Sequence, residues 1–241
     1  MAHLTHLPPD EQRRYVACTF TRIVRRYDLV NDLMTLWLVR RWRAEVARLA
    51  TKELAGPVLD VASGTGSLTL ELASRGAQVV GLDLTARMVR WSHARAPSDG
   101  SSQVGFIVGD ALALPFRGDT FGAVTCAFGL RNMPDVSAAL KEMVRVLRPD
   151  GRVVLLEIMP PEKGMCVVRR AIWVYLRRVV PVLGALLARD RAAYDYLRSS
   201  VASFFAPAEL TSLMEAAGLT SVSYRTRVFG AVAIHTGVKP A

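Results

Sequence analysis

At 241 residues with 51% apolar side chains, the chain is long enough to bury a core of its own without the help of metals or disulfides. Its three cysteines, Cys18, Cys126 and Cys166, are odd in number and far apart, so neither a disulfide framework nor a zinc ligand set can be read from them, and a reducing compartment fits best. The net charge of +10 suits a nucleic acid, an anionic membrane surface or acidic small molecules alike; arginine supplies nearly all of it, and genomic base composition explains that as well as function does.

The N-terminal segment MAHLTHLPPDEQRRY has no apolar run of signal-peptide length and no transit-peptide character, so export is not expected and a cytoplasmic location is. From Glu11 through Leu54 the apolar residues fall at helical spacing with arginines between them, and Asn31 or Asp32 is placed to cap a helix. From Pro57 the pattern changes to short apolar runs separated by helical stretches: VLDVA, SLTLELASRG, QVVGLDL, TARMVRWSHARA and VGFIVGDA. Alternation of this kind predicts a parallel sheet. FGAVTCAF predicts a fourth strand, Val136 to Leu147 a helix, Pro149 to Arg152 a turn that ends the helix and restarts the sheet, and VVLLEI a fifth strand. A helix from Pro207 to Ala217 closed by Gly218, then two strands hinged around Phe229 and Gly230, predict a terminal antiparallel hairpin.

No repeat or linker interrupts the chain, so it reads as one domain: a helical N-terminal region (1–54), a central α/β core (55–160), a helical insertion (161–205) and a C-terminal helix with hairpin (206–241). The insertion, Met165 to Leu197, mixes apolar runs with the arginine pairs Arg169–Arg170 and Arg177–Arg178 and with Trp173, Tyr175 and Leu176. No stretch of it spans a bilayer uninterrupted. It suits a lid or a contact with an anionic bilayer surface, and an ordinary core or dimer helix fits equally.

The run from Asp60 to Gly66 lies between a buried strand and a helix, where open α/β sheets bind ligands. A dinucleotide fingerprint would require a glycine where the chain has Thr69; D-x-A-x-G-x-G suits S-adenosylmethionine better. In that reading Ser63, Gly64 and Gly66 face the methionine moiety and Asp60 its ammonium group. Asp83, followed by Leu84, ends the second strand and offers two acceptors to a ribose cis-diol. Asp110 ends the third, and its carboxylate beside the N–H of Ala111 suits adenine. Each Asp alone reads equally as a helix cap and the glycines as a turn, but the set falls at three successive strand ends in the order the fold demands.

Five segments carry a narrower resemblance: YDLVNDLMT (Tyr27–Thr35), VLDVASGTGSLT (Val58–Thr69), GDALALPF (Gly109–Phe116), FGLRNMPD (Phe128–Asp135) and FGAVAIHTGVK (Phe229–Lys239). Over roughly Tyr27 to the end the chain resembles the ubiquinone/menaquinone biosynthesis C-methyltransferases, and the first and fourth segments are the specific ones. The implied fold is α/β, a Rossmann-like class I S-adenosylmethionine-dependent methyltransferase with a mostly parallel seven-stranded sheet, a C-terminal hairpin, and helical N-terminal and lid additions. The resemblance places Thr69, Asp83, Asp110, Ala111 and Ala127 around the cofactor, and Arg131 with Asn132 beside a polyprenyl quinol, with Tyr27 and Asn31 completing its pocket. Three positions depart from the family: Ala127 for a common Ser, Ser67 for a common Asp, and PDGR for PGGR; Ser199 to Leu210 also lacks a polar residue often seen there.

The resemblance implies methylation of a ring carbon of the reduced quinone, most directly demethylmenaquinol. Loss of a hydroxyl proton makes the neighbouring carbon nucleophilic, with Arg131 stabilising the phenolate and Asn132 orienting the ring or a water. Arginine is not itself expected to accept the proton. No metal is implied. The other partners implied are a membrane surface, peripherally on the inner face of the plasma membrane, and a second copy of the chain; no nucleic acid is expected, because FGLRN stands where base methylases carry [DNS]-P-P-[YFW] and the Pro-Cys pair of cytosine methylation is missing. A methoxy-benzoquinol methyltransferase of ubiquinone synthesis, a phospholipid or sterol methyltransferase and a non-catalytic cofactor-binding subunit are the competing readings. His235 and His93 read as structural.

Overall fold

A computed structural model describes residues 8–97, 103–160, 167–175, 178 and 191–241. Helix α1 (Pro9–Met34) opens with proline in its first turn and with Asp10 and Glu11 there, both favourable at the positive end of a helix. It runs without a break through Asn31 and Asp32, which corrects the expectation that either caps a helix. The reason lies in Asp32: its carboxylate reaches forward to the Arg40 guanidinium, accepting from Nε and from Nη2 at 2.6 Å, and so ties α1 to α2 (Leu38–Ala50). The turn between the helices is capped by Thr35 instead, whose hydroxyl accepts from the Val39 N–H.

The seven strands are β1 (Val58–Val61), β2 (Val79–Asp83), β3 (Val104–Val108), β4 (Phe121–Ala127), β5 (Leu147–Ile158), β6 (Thr220–Arg227) and β7 (Val232–Val238), in the order β3-β2-β1-β4-β5-β7-β6. The first five are mutually parallel; β7 runs antiparallel between β5 and β6, the terminal hairpin that was expected. Crossover helices α3 (Ser67–Ala73), α4 (Ala86–His93) and α5 (Val136–Val146) connect them, and α8 (Pro207–Ala216) precedes the hairpin. Two further helices, α6 (Val167–Val174) and α7 (Arg191–Ala202), lie within or beside the insertion. Met165, Cys166, Leu176 and Arg177 lie outside the described residues, as do the side chains of Arg169 and Trp173.

Period-two alternation sorts the strand residues into two cores. Val58, Ala123, Val154, Leu156 and Ile234 face α2 and α3; Leu59, Val61, Val124, Leu155 and Ala233 face α5 and α8. Strands buried on both faces read as continuous apolar runs, as in VVLLEI. One turn differs from expectation: PDGR does not separate α5 from β5 but bulges out of β5 itself, where pairing with β4 jumps from Leu147–Phe121 to Arg152–Ala123. Two backbone hydrogen bonds to Lys239, from Asp150 N to its carbonyl and from its N to the Gly151 carbonyl, hold the bulge. Among the described residues, no helix is long and apolar enough to cross a membrane and no cluster of side chains could hold a metal ion.

Candidate active site

The strand order reverses between β1 and β4, and a crevice opens at the carboxyl ends of strands where this happens. Both strands leave the sheet through a residue in left-handed backbone, Ala62 at φ 55° and Phe128 at φ 59°. Such conformations are uncommon for non-glycine residues and persist where the surroundings over-determine them. Gly64 and Gly66 also have positive φ. An added Cβ would meet nothing within 4 Å at Gly64, whereas at Gly66 it would lie 2.9 Å from the Phe106 ring. Gly64 thus presents backbone to open space, and Gly66 is glycine because the loop packs on β3.

Asp60, 1% exposed, faces the α3 side of the sheet and accepts from the hydroxyls of Thr69 at 2.6 Å and Thr125 at 2.8 Å. Burial pushes its pKa up to about 6, against the pull of those two hydroxyls and of Arg43. Thr69 and Gly66, expected among ligand-facing residues, stand behind the loop instead: Thr69 is fully buried, and its hydroxyl is spent on Asp60. Asp83 accepts from the N–H groups of Gly64 and Thr85, one on each oxygen at 2.8 Å, and burial raises its pKa as well. Each of its oxygens retains a lone pair for a further donor. Asp110 accepts from the Leu112 N–H on one oxygen, and the other lies 3.1 Å from Arg13 Nε.

These residues line a narrow cleft along the ends of β1 to β4, with Gly64, Asp83, Leu84, Asp110, Ala111, Ala127 and Asn132 in its wall and Arg13, Val16, Phe20 and Tyr27 of α1 across from them. A smaller recess continues it beneath the glycine loop, between Asp60, Ser63 and Arg43. The Ser63 hydroxyl is buried without a partner. An unsatisfied hydroxyl in a recess floored by a carboxylate suits a ligand end that carries both donors and acceptors, as an amino-acid moiety does. Two acceptor carboxylates spaced along the cleft, with Leu84 and Met88 between, suit a ribose and a flat heterocycle. The residues present therefore fit the cofactor that the motif implied.

Helix α1 is fastened over this cleft at both ends. Arg13 meets Asp110 near one end; near the other, Asp28 accepts from the hydroxyls of Thr65 and Ser67 and forms an ion pair with Arg95 at 2.6 Å. Ser67 thus helps to hold α1 in place.

A second cavity of about 410 Å³, almost wholly apolar, lies on the far side of Tyr27 and Phe128. Tyr27, Asn31 and Arg131, the residues expected beside an acceptor, all line it, together with Trp42, Ile158, Tyr175 and Val201. Asn132 does not; it faces the first cleft, so two consecutive residues of one 3-10 turn (Leu130–Asn132) serve the two spaces. Arg131 is not a surface side chain: it is 5% exposed, and its Nη1 donates to Glu157 Oε1 at 2.5 Å and to the Phe128 carbonyl at 2.7 Å. Burial opposes its charge, but Glu157 and the phenols of Tyr27 and Tyr196 outweigh that and raise its pKa. Its Nε and the Asn132 Oδ1 are buried without partners, an unused donor and an unused acceptor. Burial raises the Tyr27 pKa and pushes that of Tyr196 up to about 12, so both stay neutral phenols. His235 is fully buried against the Pro207 carbonyl, with its pKa lowered by burial, a structural histidine as expected.

Glu157 is the residue that sequence reasoning missed. Its signal was there: one acid inside the apolar run VVLLEI, where a charge persists only if paired. Arg13 and Asp28 were missed as well, since a helix with arginines on its surface gives no hint of what it covers.

The model of the ubiE/COQ5 methyltransferase family matches residues 9–239. A demethylmenaquinone methyltransferase of Roseiflexus castenholzii is 42% identical over 96% of each chain, and one of Thermus thermophilus is 45% identical over 92% of this chain and all of its own. Among solved structures, phosphoethanolamine N-methyltransferase 2 of Haemonchus contortus in complex with S-adenosyl-L-methionine superposes with a TM-score of 0.64 at 13% identity, covering 83% of this chain and 53% of that one, a likeness of fold.

Proposed function

The chain belongs to the ubiE/COQ5 methyltransferase family, and from that premise we propose that it transfers the methyl group of S-adenosylmethionine to a ring carbon of reduced demethylmenaquinone. The observation that carries this reading is the junction of the two spaces: a narrow cleft that presents the carboxylates Asp83 and Asp110 meets a large apolar cavity at Tyr27 and Phe128, the two residues that line both. The acceptor space is walled mostly by apolar side chains, Met34, Leu36, Trp42 and Val201 among them, with Arg131 and Arg198 as its charged groups and, among the described residues, no carboxylate to meet a cationic headgroup, and it suits a fused ring with a prenyl tail.

When bound, the cofactor supplies a sulfonium-activated methyl, whose C–S electron pair stays on sulfur as the new C–C bond forms and one proton leaves the acceptor for water. Asp83 and Asp110 would hold the ribose and the adenine, and Ser63, Gly64 and Asp60 the amino-acid end. Gly66 and Thr69 act behind them, Thr69 by holding Asp60. Leu84, Ala111 and Ala127 shape the wall. On the acceptor side Arg131 Nε would donate to a ring hydroxyl, while Asn132 Oδ1, on the cleft side of the same turn, would accept from a water or hydroxyl where the two spaces meet. Arg131 takes up no proton, because its raised pKa keeps it a cation. Tyr27 and Asn31 align the ring. Holding two reactants in near-attack geometry contributes on the order of 7–11 kcal/mol, and here it is the chief service of the protein.

Access from a membrane surface is supported by the rim of the apolar cavity. Leu36, Trp37 and Phe229 are 73%, 49% and 65% exposed beside it, and Arg40 and Arg170 are exposed on neighbouring helices. Apolar side chains that insert, flanked by arginines that meet anionic headgroups, give a peripheral enzyme its hold. A homodimer is tested by the mass of the protein in solution.

Incubation with methyl-labelled cofactor and, in parallel, reduced demethylmenaquinone, a reduced polyprenyl methoxy-benzoquinone and a phospholipid tests the function. Label on a naphthoquinol ring carbon, lost in Arg131→Ala, is the expected result; label on the phospholipid, or on none of them, refutes it.

A further inference from the structure

The Arg131–Glu157 pair is the only ion pair among the described residues in which both side chains are nearly sealed from solvent, at 5% and 1% exposure. Glu157 grips Arg131 at two levels. Its Oε1 accepts from Arg131 Nη1 and from the Ile158 N–H, and its Oε2 accepts from the Arg131 backbone N–H at 3.4 Å. The glutamate thus fixes both the 3-10 turn and the guanidinium plane, and Nε is left as the buried donor without a partner.

Withdrawing two charges from water carries a penalty that only good geometry repays, and an apolar pair would pack there at least as stably. A buried pair at a cavity wall therefore calls for a reason other than stability. Resting on the methyl-transfer reading above, we propose that Glu157 is a positioning residue of the reaction: it pins Arg131 against the acceptor cavity and cancels its charge, so that the wall presents a directed hydrogen bond in place of a bare cation. A bare guanidinium would ionise any bound hydroxyl at once and hold the negative charge on oxygen. With the charge cancelled, the hydroxyl remains protonated until the cationic cofactor is in place, and ionisation is coupled to readiness for transfer.

Three variants, Glu157→Gln, Arg131→Ala and the two together, test this with two readouts. The first is the pH dependence of turnover with reduced demethylmenaquinone. The second, which needs no turnover, is the ionisation of 4-nitro-1-naphthol bound to the cofactor-free protein, followed by its absorbance. Glu157→Gln is expected to move both the naphthol titration and the acid limb of turnover toward lower pH by about one unit, the equivalent of roughly tenfold in the ionised fraction. Maximal turnover should fall at least tenfold while cofactor affinity remains unchanged. In the double variant the naphthol should titrate as in the wild-type protein, since neither charge remains. Unchanged titration and unchanged pH profile in Glu157→Gln overturn the proposal, as does a double variant that stays displaced. A wild-type protein that leaves demethylmenaquinol unlabelled, while the naphthol titrations separate as expected, overturns the quinol reading and leaves the role of Glu157 standing. Thermal unfolding of each variant separates loss of fold, which changes neither titration in this direction, from loss of position.

Discussion

Gly129 abuts Ala62 across the crevice between β1 and β4: a Cβ on Gly129 would lie 2.6 Å from the Ala62 methyl and 2.8 Å from Cys126 Sγ. The two strand ends whose separation defines the site are thus in contact through the smallest side chains available, and the site's width is set by this pair. Gly129→Ala is expected to cost about 1–3 kcal/mol by overpacking and to weaken cofactor binding by spreading the two loops. Adding Ala62→Gly should recover part of both losses. Denaturant unfolding and calorimetric titration of the cofactor check this, and additive losses in the double variant would sever the link between the two positions.

Asp60 gives the protein a pH dependence of definite sign. Its folded-state pKa, about 6, lies above the value of an unfolded aspartate, so the folded protein binds the proton more tightly. Stability from this group is greatest below about pH 4, declines as pH rises through about 6, and stays low above, a swing on the order of 3 kcal/mol at most. Asp60→Asn should flatten that slope when unfolding is followed between pH 4.5 and 7. If Asp60 meets the ammonium of the cofactor, binding at pH 5.5 also releases a proton, which buffers of different ionisation enthalpy will reveal by calorimetry.

The fastening of α1 sets how fast the cofactor exchanges. Asp28→Asn weakens the holds on Arg95, Thr65 and Ser67 together, and Arg13→Ala frees the other end. Either is expected to raise the cofactor off-rate about tenfold, a change of roughly 1.4 kcal/mol, with a smaller rise in the on-rate. Stopped-flow quenching of tryptophan fluorescence measures both rates. Equal rates in all three proteins would mean that α1 does not stand in the path.

Trp37 and Phe229 lie outside both cavities yet on the rim of the acceptor space. Trp37→Ser with Phe229→Ser should reduce binding to phosphatidylglycerol vesicles at least tenfold, about 1.4 kcal/mol, and raise KM for a long-tailed quinol in vesicles. Turnover of a short-tailed quinol in solution should not change. Retained vesicle binding would move the membrane contact elsewhere on the molecule.

Much of the fold could be read in advance because its signals are local. Alternation of apolar runs and helical stretches foretold β1 to β5, and the small residues around Gly64 marked the loop at the switch point. The carboxylates Asp83 and Asp110 were legible for the same reason, the one closing an apolar strand and the other standing two residues beyond the end of the next. What could not be read depends on contacts between distant segments. Asp28 meets Arg95, 67 residues away, and Arg13 meets Asp110; neither partner shows in its own neighbourhood. The expected cap at Asp32 failed because a carboxylate can serve a guanidinium on the next helix as readily as a backbone N–H. The bond from the Thr69 hydroxyl to Asp60 was not legible either, because matching a motif position does not say which way the side chain turns.

Helix α1 carries Arg13 and Phe20 over one space and Tyr27 and Asn31 into the other. Twenty-six residues, about 39 Å of a single rod, therefore roof both ligands at once. Raising it to let a spent cofactor out also removes a wall from the acceptor, so the cleft cannot be emptied without opening the cavity beside it. Catalysis on this scaffold is then compulsory in its sequence: the methylated lipid leaves before or together with the demethylated cofactor, and a product that lingers in the apolar cavity holds the spent cofactor in place. Inhibition by the two products should accordingly be cooperative, each tightening the grip on the other.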